Sequence, residues 1–208
     1  IDGRPDLRMT PVELIEIMKN IDPTIELIPA HIWTPHFSLF GSRSGFNSIK
    51  DCYQDKLDEI HALETGLSSD PPMNWRLSEL DNYVLISNSD CHSPWPWRIG
   101  REANVFDIDE LTYSNLITAI REKDIQKFPM TIEVPPDYGK YHYDGHRKGR
   151  IYYKDGKKLV HEQGVRLHPK VAMSRGNLCP ICNKHLTIGV LHRVEELADR
   201  EEGYKPAN

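Results

Sequence analysis

"LISNSDCHSPWP", residues 85–96, changes character at Ser87. The apolar run Tyr83-Val84-Leu85-Ile86 reads as a buried strand, and Ser87, Asn88, Ser89, Asp90, Cys91 and His92 follow before Pro94 and Pro96 stop regular structure. Residues two apart on an extended chain face the same side, so Asp90 and His92 can offer a carboxylate oxygen and an imidazole nitrogen to one centre. Cys91 points away. Functional side chains of parallel α/β folds sit where strands end, which makes the rest of the chain a test for alternating strands and helices.

The alternation is there. "TPVELIEIMKNI" carries Thr10 as an N-cap, Pro11 at the first helical position and Glu13 three residues after the cap, a helix start with a capping box. "IELIPAHIW" follows as a short apolar strand, "SIKDCYQDKLDEIHAL" as a helix with Ile49, Tyr53, Leu57 and Ile60 at helical spacing, "NYVLISNS" as a second strand and "DELTYSNLITAIREKD" as a helix. Strands and helices in this order predict a parallel α/β layer over residues 1–130. Only about three βα units fit there, too few to close a barrel of seven or eight, and Ile1 is not Met. The expectation is a chain lacking an upstream part of its domain, or completing its sheet with other copies.

Pro129, Pro135 and Pro136 end the pattern, and a loop-rich stretch follows in which "GRIYYKDGKKLVHE" reads as a hairpin turned by Asp155-Gly156. "LHRVEELADR" closes as a helix. The division expected is an α/β unit over 1–130, a basic zinc-binding unit over 131–192, and the start of a C-terminal helical segment over 193–208.

Charge follows the same division. Residues 1–137 hold 12 Lys and Arg against 23 Asp and Glu, residues 138–175 hold 10 against 3, and the whole chain carries a net charge of −5. A basic segment on an acidic body suits a phosphate-backbone partner on one face, and equally a solvated basic loop. No apolar stretch is long enough to span a bilayer and no signal peptide opens the chain, so a cytosolic location is the default expectation.

Two constellations carry chemistry. His31, Glu64, Asp90 and His92 fall at the ends of three successive apolar runs, "IELIPAHIW", the short run within "HALETGLSS" that places Glu64 before Thr65-Gly66, and "NYVLISNS", a mixed nitrogen and oxygen set suited to Zn, Mn or Fe and to hydrolysis by an activated water. Each also has a plain structural reading: His31 as a hydrogen-bonded strand residue, Asp90 as a turn cap, Glu64 as a surface acid. "CPICNKH" is the stronger local signal, because C-P-x-C turns two thiolates, Cys179 and Cys182, toward one zinc ion. A redox C-x-x-C is the alternative, but Gly176-Asn177 precedes the pair where a thioredoxin-like strand would be needed. His142, His146, His161, His168 and His185 are available to complete the zinc set.

"PAHIWTPHFSLFGSRSGF", "ETGLSSDPPMNWRLSELD", "SNSDCHSPWPWRIGREAN" and "CPICNKHLTIGVLHRVEELADR" together resemble segments of the endonuclease Q family. These are DNA-repair nucleases with a polymerase-and-histidinol-phosphatase (PHP) domain followed by a zinc-binding domain. The resemblance covers most of residues 10–206. It implies a partial PHP-type (β/α) barrel, with His31, Glu64, Asp90 and His92 matching the later metal ligands, and Glu64, Asp90 and His92 as catalytic residues served by divalent Zn, Mn or Mg. The first ligand pair of the family, a His-x-His, has no counterpart in the chain. The family pattern carries a Cys after the D-G-H-R stretch, where this chain departs and runs into Lys148-Gly149; His146 and His161 are therefore chosen to join Cys179 and Cys182 in a structural zinc site, with His142 next.

The activity implied is hydrolysis of the DNA backbone 5′ to a deaminated base (uracil, hypoxanthine or xanthine) or an abasic site. DNA contacts are expected from Ser42, Arg43, Ser44, Asn74, Trp75, Arg76, Arg147 and Lys148, with Trp75 equally a core residue and a sliding clamp as a candidate recruiter. Two other readings stand beside it: a PHP-type phosphoesterase for a small molecule, and a DNA-binding module that does not cut. No G-x-x-x-x-G-K-[ST] loop is present to support a helicase.

Overall fold

The computed structural model describes residues 7–43 and 45–206. Helix α1, Pro11–Ile21, starts as its sequence predicts: the Thr10 hydroxyl accepts from Glu13 N at 3.2 Å and the Glu13 carboxylate accepts from Thr10 N at 2.7 Å. Its inward face buries Ile15.

The single helix expected over residues 48–63 is not formed. Helix α2 covers only Ile49–Tyr53, capped by Ser48; Gln54 at φ +50° ends it, a 3-10 stretch runs over Gln54–Glu59, and Ala62–Glu64 becomes strand β1. Ala62 and Leu63 are fully buried, and pairing with a neighbouring strand wins over helical spacing at that end.

Strand β2, Val84–Ile86, pairs with β1 in parallel, placing Glu64 opposite Ile86. The segment expected as the first strand lies along the other edge of β1 without becoming one. Glu64 N donates to Pro29 O at 3.1 Å and Ile32 N donates to Glu64 O at 3.0 Å, but one extra residue intervenes, with His31 at φ +35°, and Pro29 has no N–H to extend the ladder. Strands β3, Ala103–Val105, and β4, Met130–Ile132, form an antiparallel pair tied to the end of β2 by Asn104, which accepts from Ser87 N at 2.8 Å and donates to Ser87 O at 2.9 Å. Helix α3 is the short turn Pro71–Asn74, and helix α4, Tyr113–Arg121, packs Ile117 and Ile120 beside Ala62 and Ile86.

The architecture is α/β, and the expected partial barrel does not appear in it. Every sheet among the described residues has two strands, because the first predicted strand is bulged and β3 reaches β2 only through a side chain.

The basic part is a small β unit. Strand β5, Asp144–His146, pairs antiparallel with β8, Val165–Leu167, and β6, Ile151–Lys154, pairs with β7, Lys157–Val160. The predicted hairpin is formed, with Asp155 at φ +50° and Gly156 at φ +74° supplying the two positive φ values of a type I′ turn. Helix α5 covers Pro169–Ser174 and helix α6 covers Val190–Leu197.

Val190 and Val194 of α6 pack with Ile15, Trp33 and Phe40, and Arg193 donates to Phe40 O at 2.9 Å. The closing helix thus completes the core of the α/β part. Asp144, fully buried, accepts from Gly189 N at 2.6 Å and faces His192 Nδ1 at 2.7 Å, which joins the β unit to the same helix. No helix among the described residues is long and apolar enough to cross a membrane.

Candidate functional site

His146, His161, Cys179 and Cys182 converge. Each offers one donor atom, these atoms lie within 4.8 Å of one another, and all four residues are buried. The fold explains the convergence. His146 ends β5, His161 follows β7, and the turn at Cys179–Cys182 is closed by Asn183 N donating to Cys179 O at 2.9 Å and Cys179 N donating to Lys184 O at 2.9 Å.

Two observations suit the group to holding a metal ion. Both ring nitrogens of His161 are buried with no hydrogen-bond partner, which is costly unless one of them is a ligand. His146 Nε2 lies 2.9 Å from His185 O, so it carries the proton and leaves Nδ1, 3.5 Å from Cys182 Sγ, as the free lone pair. Burial raises the Cys182 thiol and lowers His146; a cation would reverse the first effect by favouring thiolate. The donors fit a tetrahedral ion, and they could hold one. His142, the next candidate, instead sets its Nδ1 2.9 Å from Ser68 O.

The strand-end set is arranged differently. Glu64 is buried, its Oε2 accepts from the His31 backbone N–H, and its Oε1 accepts from Gly66 N at 3.1 Å and Asn88 N at 3.4 Å. One carboxylate thus ties the ends of three adjacent segments, which excludes the surface-acid reading. Burial pushes its pKa up, partly offset by the three N–H groups. The His31 ring turns to Thr34, its Nδ1 3.0 Å from the hydroxyl.

Asp90, at φ +44°, lies 3.3 Å from His92 Nε2, with both side chains close to half exposed. The two residues expected to face one centre therefore face each other. Among the described residues, no three of His31, Glu64, Asp90 and His92 bring donor atoms within 4.8 Å of one another. They share one end of the layer without forming a closed donor set.

Two further acids lie in this region. Glu102 is buried, with one oxygen accepting from the Ser87 hydroxyl at 2.8 Å and the other unpartnered; Glu133 also has an unpartnered buried oxygen. Burial raises Glu133 to about 7, helped by the negative charges of Glu102, Asp70 and Glu64. Neither acid stands out in the sequence. The available signal was the two-residue spacing of Glu102 and Asn104, which turns both toward Ser87.

The residues expected at DNA divide. Asn74 is buried, accepting from Trp33 Nε1 at 2.7 Å and donating to Ser69 Oγ and Asp70 O. Arg76 is buried and bidentate to Glu195 at 2.8 and 3.2 Å. Trp75 is half-buried, its carbonyl accepting from Arg200 at 3.0 Å, and the Ser42 hydroxyl donates to Ile188 O at 2.8 Å. Arg43, Arg147 and Lys148 are exposed. Ser44 lies outside the described residues.

Arg147 and Lys148 line a cleft of about 620 Å³ with Lys140, Arg150, Arg166 and His36. Comparison with solved structures supplies the context for this layout. A lesion-specific endonuclease Q from Pyrococcus furiosus matches 96% of this chain and 45% of its own, with a TM-score of 0.74 and 34% identity. Over nearly its whole length the chain is similar to endonuclease Q.

A second endonuclease Q structure, complexed with a 27-mer duplex substrate bearing an abasic lesion at the active site, matches 99% of this chain and 46% of its own at a TM-score of 0.78 and 32% identity. The likeness to endonuclease Q thus takes in both the strand-end layer and the Cys/His unit. Two uncharacterized proteins are also similar: MJ0043 of Methanocaldococcus jannaschii, 34% identical over 80% of this chain and 19% of its own length, and YqxK of Bacillus subtilis, 30% identical over 84% and 39%. No family model matches. The chain spans less than half the length of each endonuclease Q structure and a smaller share of the two curated relatives.

Proposed function

We propose that this chain is the strand-end and zinc-binding portion of a metal-dependent DNA endonuclease that hydrolyses the phosphodiester 5′ to deaminated bases or abasic sites. The supporting observation is the endonuclease Q fold carried through 96% and 99% of the chain at 34% and 32% identity, one of those structures holding a duplex with an abasic lesion. Lesion selection has a physical basis: a base that pairs poorly, or is missing, leaves the stack at lower cost than a normal one.

Zinc at Cys179, Cys182, His146 and His161 is the structural part of this reading, the donor chemistry and the orphaned His161 nitrogens supporting it. At the strand ends, a bound divalent ion supplies electrophilic activation of the phosphodiester and of water. His31, Glu64, Asp90 and His92 do not by themselves close around one ion. Glu64 ties the ends of three adjacent segments together through accepted N–H bonds, and Asp90 lies 3.3 Å from the accessible His92 imidazole.

The test is incubation of the protein with duplexes carrying one uracil, one hypoxanthine or one abasic site, with added Mn or Mg. A nick on the 5′ side of the lesion is expected, and its loss in Asp90→Ala. The open strand-end set favours one second reading, a module that binds DNA without cutting, for which tight salt-sensitive binding with no nick is the signature.

A further inference from the structure

The hairpin of β6 and β7 is framed by two members of the metal group. Residues 147–160 leave from His146 and return at His161, and the base is closed by Gly149 N donating to His161 O and His161 N donating to Arg150 O, each at 2.9 Å. One ion held by both histidines would staple the two ends of this segment together. The segment itself carries Arg147, Lys148, Arg150, Lys154, Lys157 and Lys158 against the single acid Asp155.

The cleft at the foot of the hairpin has the same sign. Lys140, Arg147, Lys148, Arg150 and Arg166 line it, no Asp or Glu does, and among the described residues none of the five pairs with a carboxylate. Their positions are prepared. Arg166 donates to Asp137 O at 2.6 Å and lies 5.3 Å from the Tyr143 ring centroid, while Lys140 sits 5.0 Å from that of Tyr141. Five cations without carboxylate partners around one open volume give it a positive potential that favours an anionic occupant.

We propose that this cleft and the hairpin beside it form a seat for the phosphate backbone of duplex DNA, separate from the strand-end carboxylates, with the Cys/His metal holding the hairpin in its binding position. The proposal rests on the DNA-directed reading above and adds where undamaged backbone is gripped. Lys154, Lys157 and Lys158 add to the positive charge of Arg147, Lys148 and Arg150 along the same hairpin, more charge than one phosphate needs, while residues 1–137 are net acidic.

The experiment is fluorescence anisotropy of the chain with a fluorescein-labelled undamaged duplex across a salt series, with zinc bound. For Arg147→Gln/Arg150→Gln/Arg166→Gln, the slope of log affinity against log salt is expected to fall by about 0.9 for each phosphate no longer neutralised, and affinity by roughly tenfold or more. Circular dichroism and zinc content matching the parent protein show that the variant is folded. Lys154→Gln/Lys157→Gln/Lys158→Gln gives a smaller loss at the tip. Chelating the zinc lowers affinity in the parent protein, and zinc restores it.

A folded, zinc-loaded triple variant with unchanged slope overturns the cleft as the seat, even where the parent protein still nicks lesions. Full affinity in the zinc-free protein overturns the anchoring. A parent protein that neither binds the duplex nor nicks a lesion removes the DNA-directed reading itself.

Discussion

Replacing His161 by Leu separates a metal ligand from a packed ring. His161 is 1% exposed and neither ring nitrogen has a hydrogen-bond partner, while Tyr152 and His146 pack on it edge-on at centroid distances of 5.0 and 5.3 Å. A buried, unsatisfied polar atom costs about 1–3 kcal/mol, so the metal-free protein carries that penalty on at least one nitrogen and His161→Leu relieves it. With zinc bound, the same nitrogen is a ligand, and the variant gives up the stabilisation that follows from binding an ion in the folded state alone.

The expected result is a crossing. In chelator, His161→Leu unfolds at a temperature equal to or above that of the parent protein; in excess zinc it unfolds well below it and retains less metal. Calorimetry or far-UV circular dichroism reads the transition, and elemental analysis reads the metal. Equal destabilisation in both conditions would refute the reasoning, because a residue that only packs has no reason to respond to zinc.

Glu133→Gln tests the buried acids near Glu64. Folding raises the Glu133 pKa from about 4.5 to about 7, so its contribution to stability is present below the lower value and is lost as pH rises through the upper one. The variant should gain stability over the parent protein as pH climbs through that window, measured by urea unfolding at several pH values. Arg76→Ala should lower stability by about 1–2 kcal/mol, since it removes the bidentate pairing with the partly exposed Glu195, while leaving the salt dependence of DNA binding unchanged. Gly189→Ala should cost about 1–3 kcal/mol or more by thermal unfolding, because a Cβ there would meet the Tyr143 carbonyl carbon at 2.4 Å and the His142 oxygen at 2.7 Å.

Much of the local structure was legible in sequence because its causes are local. The capping box of Thr10 and Glu13, the Asp155-Gly156 turn and the turn that brings the Cys179 and Cys182 thiols together each depend on residues within a few positions, and all three are formed. His146 and His161 had to be chosen among five histidines. They are distant in sequence from the cysteines and meet them only because β5 and the hairpin fold over the knuckle.

The sequence alone determined an α/β part ending in polar strand ends, a basic unit with two thiols, and the resemblance of both to endonuclease Q. It could not show that Gln54 breaks a helix, that His31 bulges a strand, or that α6 returns to the first core. Those follow from long-range burial, which local spacing does not encode. The same limit applies to "LISNSDCHSPWP". Its alternation places Asp90 and His92 on one side of an extended chain, whereas the folded backbone at Asp90 takes φ +44° and turns the pair toward each other. Which donors meet is decided by the tertiary path of the chain, because a metal site needs atoms within ångströms and periodicity supplies only a facing direction.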